Sequence, residues 1–433
     1  MSLSRAIDAY PDRVGWRSAV AKLKIEKQHS LILSGSVIML VGTAIVSAFN
    51  FGYNVAVARL LGPAAFGHAS AAVTLLMLMS AITLAFQLVC AKFVARNEGN
   101  GARSALVQSL LKRAWLVGIV IAALLAVGSG AVTSYLRLPT PWIVLLLAFG
   151  VAFYIPLGVR RGAMQGTCQF ERLAGNFVLE VIVKFGGALV LVLSGFGVLG
   201  AVGAITASVI LAYFLPPMGQ AFRSKPTACT PASFREGMQA IVFFVGQVII
   251  NNIDILLVKH FFAPDQAGMY AAVALVGRVL YFASWSVVSA MFPISAGAKP
   301  KEHNSSLLVV PLLLVVVLSV GFILLLTFVP GMIVHFVFGS GYREAEPLLS
   351  LYAAATGLYA LSVVLMAYEM SRRIANTGWI QLIFSGVIVG GICLFHSTLR
   401  QVVIVQIVLM VVLLAAVSVP FFRRKPIAVQ EAV

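Results

Sequence analysis

Charge is scarce in this chain, and acids scarcest of all. Only 10% of its 433 residues are charged, while 61% are hydrophobic and the mean hydropathy is +1.00. So few polar residues cannot cover a soluble globule of this length, which excludes a large soluble domain. Cysteine is rare as well. Cys90, Cys168, Cys229 and Cys393 lie far apart with no C-x-x-C pair, which argues against a metal site or a redox disulfide. The histidines His29, His68, His260, His303, His335 and His396 show no metal-ligand spacing, and no Ser/His/Asp set stands out. No G-x-x-x-x-G-K-[ST] sequence occurs and no loop could house a nucleotide-binding domain, so a single-chain ATP-driven pump is excluded. Two motifs mislead. Gly195-Phe-Gly197-Val-Leu-Gly200 spells the dinucleotide-binding pattern but joins two apolar runs with no strand before it, and Asn304-Ser305-Ser306 spells a glycosylation acceptor on the expected cytoplasmic side.

What is present is a succession of long apolar runs, near 32–57, 68–91, 114–134, 142–159, 173–194, 198–218, 238–260, 268–293, 307–329, 347–370, 374–395 and 401–421. A spanning helix needs about 20 mostly apolar residues, so these runs predict an all-α integral membrane protein with twelve transmembrane helices. The basic excess, 31 Lys and Arg against 14 Asp and Glu, falls between the runs and so reports topology; no nucleic-acid partner is expected. One set of alternate segments holds most of the basic residues, and the other holds Arg59, Arg137, Lys259, Arg343 and Arg400. The bias predicts both termini in the cytoplasm. A basic tail, 1–30, precedes the first run and is too polar for a secretory signal. Its Leu3, Ile7, Trp16, Val20, Leu23 and Ile25, mixed with Arg13, Arg17, Lys22, Lys24 and Lys27, read either as an amphipathic helix on anionic headgroups or as a tail that only fixes orientation.

The longest interior break, 219–237, divides the chain into halves of nearly equal length, 31–218 and 238–421, followed by a short tail, 422–433. The halves resemble each other. Asn54-Val-Ala-Val-Ala-Arg59 lies 200 positions before Asp254-Ile-Leu-Leu-Val-Lys259, and after a one-residue shift Pro63, Gly67 and Ala71 match Pro264, Gly268 and Ala272. Matching elements in two six-helix halves of the same orientation predict parallel lobes related by an axis along the membrane normal, with a substrate path between them.

Polar residues inside the runs are few and therefore informative, since a mid-bilayer charge costs about 2.5–3.5 kcal/mol on insertion scales. On the fifth run Asn176, Glu180, Lys184 and Gly187 share a helical stripe, read either as a buried Glu180–Lys184 pair or as a lumen-facing site. On the eighth, Arg278 has no acid within a turn, and Tyr281, Trp285 and Ser289 continue its face. A guanidinium suits bidentate capture of a phosphate and an aromatic suits a sugar ring; the alternative for Arg278 is an ion pair with Asp254 on the neighbouring run. Gln247, Asn251 and Asp254 form a stripe on the seventh run, and Thr43, Ser47, Asn50 and Asn54 form one on the first. Such residues either join helices or line a cavity. Asp254 is also a candidate proton or cation site, and Glu180 is a second carboxylate to consider for coupling to H+ or Na+. Glu369, near Arg372 and Arg373, reads as an interfacial ion pair. Gly158, Gly162 and Gly166 recur at four, allowing close helix approach or breaking the helix around Arg160 and Arg161.

Three further segments stand out: Ala58-Arg-Leu-Leu-Gly-Pro-Ala-Ala-Phe-Gly67; Arg161-Gly-Ala-Met-Gln-Gly166 through Phe170 to Glu180 and Lys184; and Phe338-Gly-Ser-Gly-Tyr342 with Ala345 and Pro347-Leu-Leu349. Together they resemble the bacterial polysaccharide, O-antigen-type flippases of the multidrug/oligosaccharidyl-lipid/polysaccharide exporter superfamily. The second repeat departs from the first motif at Ala263, where the first has Gly62. The resemblance implies a V-shaped, two-lobed protein of the inner membrane, not an enzyme and without a cofactor. It would move an undecaprenyl-diphosphate-linked oligosaccharide from the cytoplasmic to the periplasmic leaflet, with membrane lipids, polymerases and glycosyltransferases as partners. On that basis Arg278 and Lys184, with Tyr281, Trp285, Asn54 and Asn251, are the expected headgroup cavity. Arg59 and Lys259 would guard the outer exit, and Arg160 and Arg161 would receive substrate at the cytoplasmic mouth.

Other classes fit less well. A small-cation exporter of the same superfamily favours acids over bases in its cavity. A polysaccharide polymerase or ligase would carry a substantial outer loop, and the longest one here, near 330–346, is short. A flippase for a lipid-linked cell-wall precursor is expected to have additional spans.

Overall fold

The computed structural model describes residues 14–215, 225, 227, 234–297, 306–371 and 377–422, with side chains from residue 37 onward and with a few side-chain gaps near the ends of helices. Part of the expected tail at 1–30, most of the 219–237 linker and nearly all of 422–433 fall outside these residues. So do Arg372 and Arg373, the expected partners of Glu369.

Among the described residues every regular element is a helix, as a chain of this composition requires where lipid offers no partner for backbone N–H and C=O groups. The helices are α1 (Val14–Arg96), α2 (Asn100–Val127), α3 (Ser129–Tyr135), α4 (Trp142–Gly166), α5 (Phe170–Leu191) and α6 (Gly197–Phe214). They continue with α7 (Phe234–Phe261), α8 (Pro264–Gly297), α9 (Ser306–Phe328), α10 (Pro330–Val337), α11 (Glu346–Ser371), α12 (Thr377–Leu394) and α13 (Leu399–Phe422).

Glycine and proline decide where the chain breaks. Gly62, at φ +77°, interrupts α1 immediately before Pro63 and divides it into two spans. The corresponding turn of the second repeat carries Ala263, which cannot take that conformation cheaply, and there the helix ends at Phe261 and restarts at Pro264. Gly195 (φ +90°) and Gly197 (φ +53°) turn α5 into α6. The spurious dinucleotide pattern is therefore a helix-to-helix turn that needs glycine. With α1 counted as two, and the short α3 and α10 set aside, the described residues contain the twelve expected spans.

Two lobes result. In the first, α4 packs on α1, α2 and α6, and α5 packs on α1 and α6; in the second, α11 packs on α8, α9 and α13, and α12 on α7 and α13. Gly158, Gly162 and Gly166 let α4 approach the second arm of α1. A Cβ at any of them would lie closer than 3.0 Å to a backbone oxygen, of Thr83, Gln87 and Ala91 respectively. The three glycines are thus a close-approach seam, and α4 runs through them unbroken to Gly166. Apolar side chains such as Leu116, Leu124, Val317, Phe328 and Val408 stay exposed on the outside, where lipid is the only adequate solvent.

The lobes meet through α1 against α7 and α8. The contact is reciprocal: a Cβ on Gly67 would lie 2.8 Å from the Pro264 carbonyl oxygen, and one on Gly268 would collide with the Pro63 carbonyl. These are the residues matched in the repeat. Equivalent positions that touch each other's partners are the signature of a twofold relation.

Candidate functional site

Three polar clusters interrupt the apolar interior. The first is in the lobe formed by α1–α6. Asn176, Glu180 and Lys184 do share one face of α5, but Glu180 pairs with Arg161 of α4 instead of Lys184. Arg161 Nε also donates to Asn176 Oδ1 at 2.7 Å, and Asn176 Nδ2 donates to the carbonyls of Ala212 (2.7 Å) and Leu215 (2.6 Å) at the end of α6. A guanidinium 15 and 19 residues away supplies both contacts, a distance that stripe reasoning on α5 alone does not reach. Lys184 is left to donate to Asn50 Oδ1, with its ammonium 5.0 Å from the centre of the Tyr53 ring. Asn54, next along that arm, donates to the Asn50 carbonyl at 2.8 Å.

Arg160 and Arg161 are 7% and 3% exposed, so in this conformation neither stands open at a mouth. Arg160 donates to the Tyr213 carbonyl and lies 5.0 Å over the Tyr213 ring, beside Trp115, whose indole donates to the Tyr213 hydroxyl at 3.1 Å. The reason is energetic: two adjacent guanidiniums in a helix interior must each be satisfied by the protein.

The second cluster is in the other lobe. Asp254 is buried, and its Oδ2 accepts from the hydroxyls of Tyr270 and Tyr352, both at 2.9 Å; Gln406 in turn donates to the Tyr270 hydroxyl at 2.8 Å. Asp254 Oδ1 has no hydrogen-bond partner. Arg278 donates to the Asn251 carbonyl at 2.8 Å and lies beside the Tyr352 hydroxyl, while its Nε has no partner. The two charges are bridged by a phenol and do not form a direct salt bridge. Arg278, Asn251, Tyr352, Thr356, Tyr359 and Gln406 line a small, partly open cavity together with apolar side chains. An aromatic ladder continues from it: Tyr359 stacks on Tyr281 at 5.8 Å and Tyr281 on Trp285 at 6.2 Å, with Gln247 donating to the Tyr281 hydroxyl at 2.8 Å. Asn251 donates to the Tyr359 hydroxyl at 3.3 Å. The structure thus brings Arg278, Asn251, Tyr281 and Trp285 together. Tyr270, Tyr352 and Gln406, which sequence reasoning did not single out, complete the surroundings of Asp254.

The third cluster closes the end of the lobe interface opposite the start of α1 and the end of α13. Arg59 donates to the carbonyls of Val337 (2.8 Å) and Phe336, and the Tyr342 hydroxyl donates to the Ala58 carbonyl at 3.1 Å. Lys259, the repeat counterpart of Arg59, is fully buried and its Nζ has no hydrogen-bond partner. Its neighbour His260 reaches across to the Tyr135 carbonyl at 2.7 Å and stacks on the Tyr135 ring at 3.9 Å.

Among the described residues no group of His, Cys, Asp and Glu is arranged to hold a metal ion. The three clusters bring together cations from both lobes, aromatic faces, amides and a buried carboxylate.

Residues 56–347 match the sequence profile of a family described as polysaccharide biosynthesis protein. No curated protein matches the chain. Among solved structures, the chain is similar to the lipid II flippase MurJ in an inward closed conformation, with a TM-score of 0.73 at 12% identity over 89% of this chain and 87% of that one. It is also similar to an inward-facing multidrug resistance MATE family transporter of the MOP superfamily (TM-score 0.70, 13% identity, 89% and 98% covered). An outward-facing MATE transporter gives a TM-score of 0.62 at 16% identity, with 90% and 94% covered.

Proposed function

The chain belongs to the polysaccharide biosynthesis protein family, and from that premise we propose that it is a flippase for a diphosphate-linked lipid oligosaccharide. The observation that carries the reading is the pair of cations held one in each lobe, Lys184 beside Asn50 and Tyr53, and Arg278 beside Asn251, with the Tyr359–Tyr281–Trp285 ladder next to the second. A diphosphate leaving water needs cationic donors along its path, and sugar rings need aromatic and amide surfaces. The lipid tail can stay in the bilayer, so only the headgroup needs a protein route. Rocking of the lobes about their α1–α7–α8 contact would expose that route to each side in turn, and no chemical step is required.

The basic-residue bias supports cytoplasmic termini, and with that orientation the closed end at Arg59 and His260 would be the periplasmic one. The protein would sit in the bacterial inner membrane, taking its substrate from glycosyltransferases and delivering it to a polymerase. Asp254, with Oδ1 unpaired, is the candidate group for coupling transport to H+ or Na+, while Glu180 is committed to Arg161.

A second reading, export of small cations, is favoured by that same buried carboxylate. Proteoliposomes discriminate the two. A fluorescent diphosphate-linked lipid oligosaccharide should become accessible to an impermeant quencher only when the protein is present, and a lipophilic dye cation should not accumulate.

A further inference from the structure

Two short helices at the closed end finish with the same unmet need. In α3, the turn through Arg137 (φ +47°) returns N–H donors to three carbonyls: Leu136 to Val132 at 2.9 Å, Arg137 to Ser134 at 3.3 Å and Leu138 to Thr133 at 2.9 Å. The carbonyl of Tyr135, the last helical residue, is left over. In α10, the turn through Gly339 (φ +93°) returns Phe338 to Val334 at 2.8 Å and Gly339 to Val334 and His335, both at 3.1 Å. The carbonyls of Phe336 and Val337 are left over.

Each leftover is met from the opposite lobe. Arg59, at the end of the first span, caps α10 through Val337 and Phe336; His260, at the end of the seventh, caps α3 through Tyr135. A carbonyl only accepts, so Nδ1 of His260 carries the proton and donates. The arrangement is reciprocal in the same sense as the Gly67 and Gly268 contacts. It differs in one respect: the repeat aligns Arg59 with Lys259, yet the adjacent His260 does the capping while Lys259 stays buried. Donors placed at a helix C-terminus also meet the negative end of its dipole.

We propose that Arg59 and His260 form a two-point latch, each capping the terminal carbonyl of a short helix in the other lobe, and that the far end opens only when both caps break. His260 is then a positioning residue of transport, as Arg59 is. The inference takes from the flippase reading only its consequence, that this end must open for release; the latch itself is a property of the empty protein.

The test is a distance measurement on the whole chain in lipid nanodiscs without substrate. Spin labels go on Ser134 and Glu344, both exposed and one in each lobe, with the four native cysteines replaced by alanine. Loss of one hydrogen bond to a helix end is expected to raise the open-to-closed ratio roughly three- to tenfold. His260→Ala and Arg59→Ala should each add a longer distance, and the double variant more than either. His260→Asn keeps an N–H donor at the position of Nδ1 while losing the ring, so it should restore the short distance. An unchanged distribution in His260→Ala overturns the proposal, as does failure of His260→Asn to close a protein that His260→Ala has opened. A failed flipping assay with these shifts intact would count against the substrate and leave the latch standing.

Discussion

Gly67 and Gly268 face each other's prolines: each lies against the carbonyl of the proline that opens the opposite lobe's second helix, Pro264 and Pro63 respectively. The tighter of the two is Gly268. Any Cβ there must push the lobes apart, because the obstacle is backbone and cannot rotate away.

Gly268→Ala should therefore open the closed end without unfolding either lobe. In the spin-label experiment it should show the longer distance, with a thermal unfolding midpoint within a few degrees of the parent. Gly67→Ala, where the clash is milder, should show a smaller population at the longer distance.

The seam between α4 and α1 makes the opposite kind of prediction. Gly158→Ala or Gly162→Ala places a methyl against the carbonyl of Thr83 or Gln87, inside one lobe, and overpacking of this kind costs about 1–3 kcal/mol. Thermal unfolding should drop measurably, whereas Gly186→Ala, with open space around it, should not change it.

Much of this architecture was legible in the sequence because lipid makes apolar length and basic bias nearly sufficient signals. The twelve spans and the repeat offset by 200 positions needed nothing more. The polar site was legible only in part. Residues on one helix face, such as Asn251 with Asp254 or Tyr281 with Arg278, follow from periodicity. Partners from other helices do not: Tyr352 meets Asp254 across 98 residues and Lys184 meets Asn50 across 134. The same gap led stripe reasoning to weigh a Glu180–Lys184 pair, where the acid is held by Arg161 from α4. The contact of His260 with the Tyr135 carbonyl was not legible because it depends on a helix end in the other lobe.

Arg161 and Glu180 should behave as a structural pair. Arg161→Met alone leaves a partly buried carboxylate without its cation and should cost about 1–3 kcal/mol, while Arg161→Met with Glu180→Gln should recover part of that loss. Thermal unfolding of the two singles and the double closes the cycle. A simple rise in substrate KM with normal stability would instead return Arg161 to a substrate-receiving role.

Asp254 can be separated from its scaffold. Tyr352→Phe and Tyr270→Phe each remove one donor to a buried carboxylate, so each should lower stability by about 1–3 kcal/mol. Asp254→Asn should keep the fold and flip substrate downhill. It should lose acceleration by an imposed H+ or Na+ gradient, measured by quencher access in proteoliposomes. Acceleration equal to the parent's would remove Asp254 from coupling.

The most direct test of the flippase reading uses cells deleted for the gene and complemented in turn with the parent chain and with Arg278→Gln plus Lys184→Gln. The sidedness of the lipid-linked oligosaccharide is then followed in membrane vesicles. The account predicts repeat units trapped on the cytoplasmic face in the deletion, released by the parent chain and still trapped with the double variant at equal membrane abundance. Release by the double variant would contradict the cationic route, and an untrapped deletion strain with no redundant transporter would contradict flipping itself.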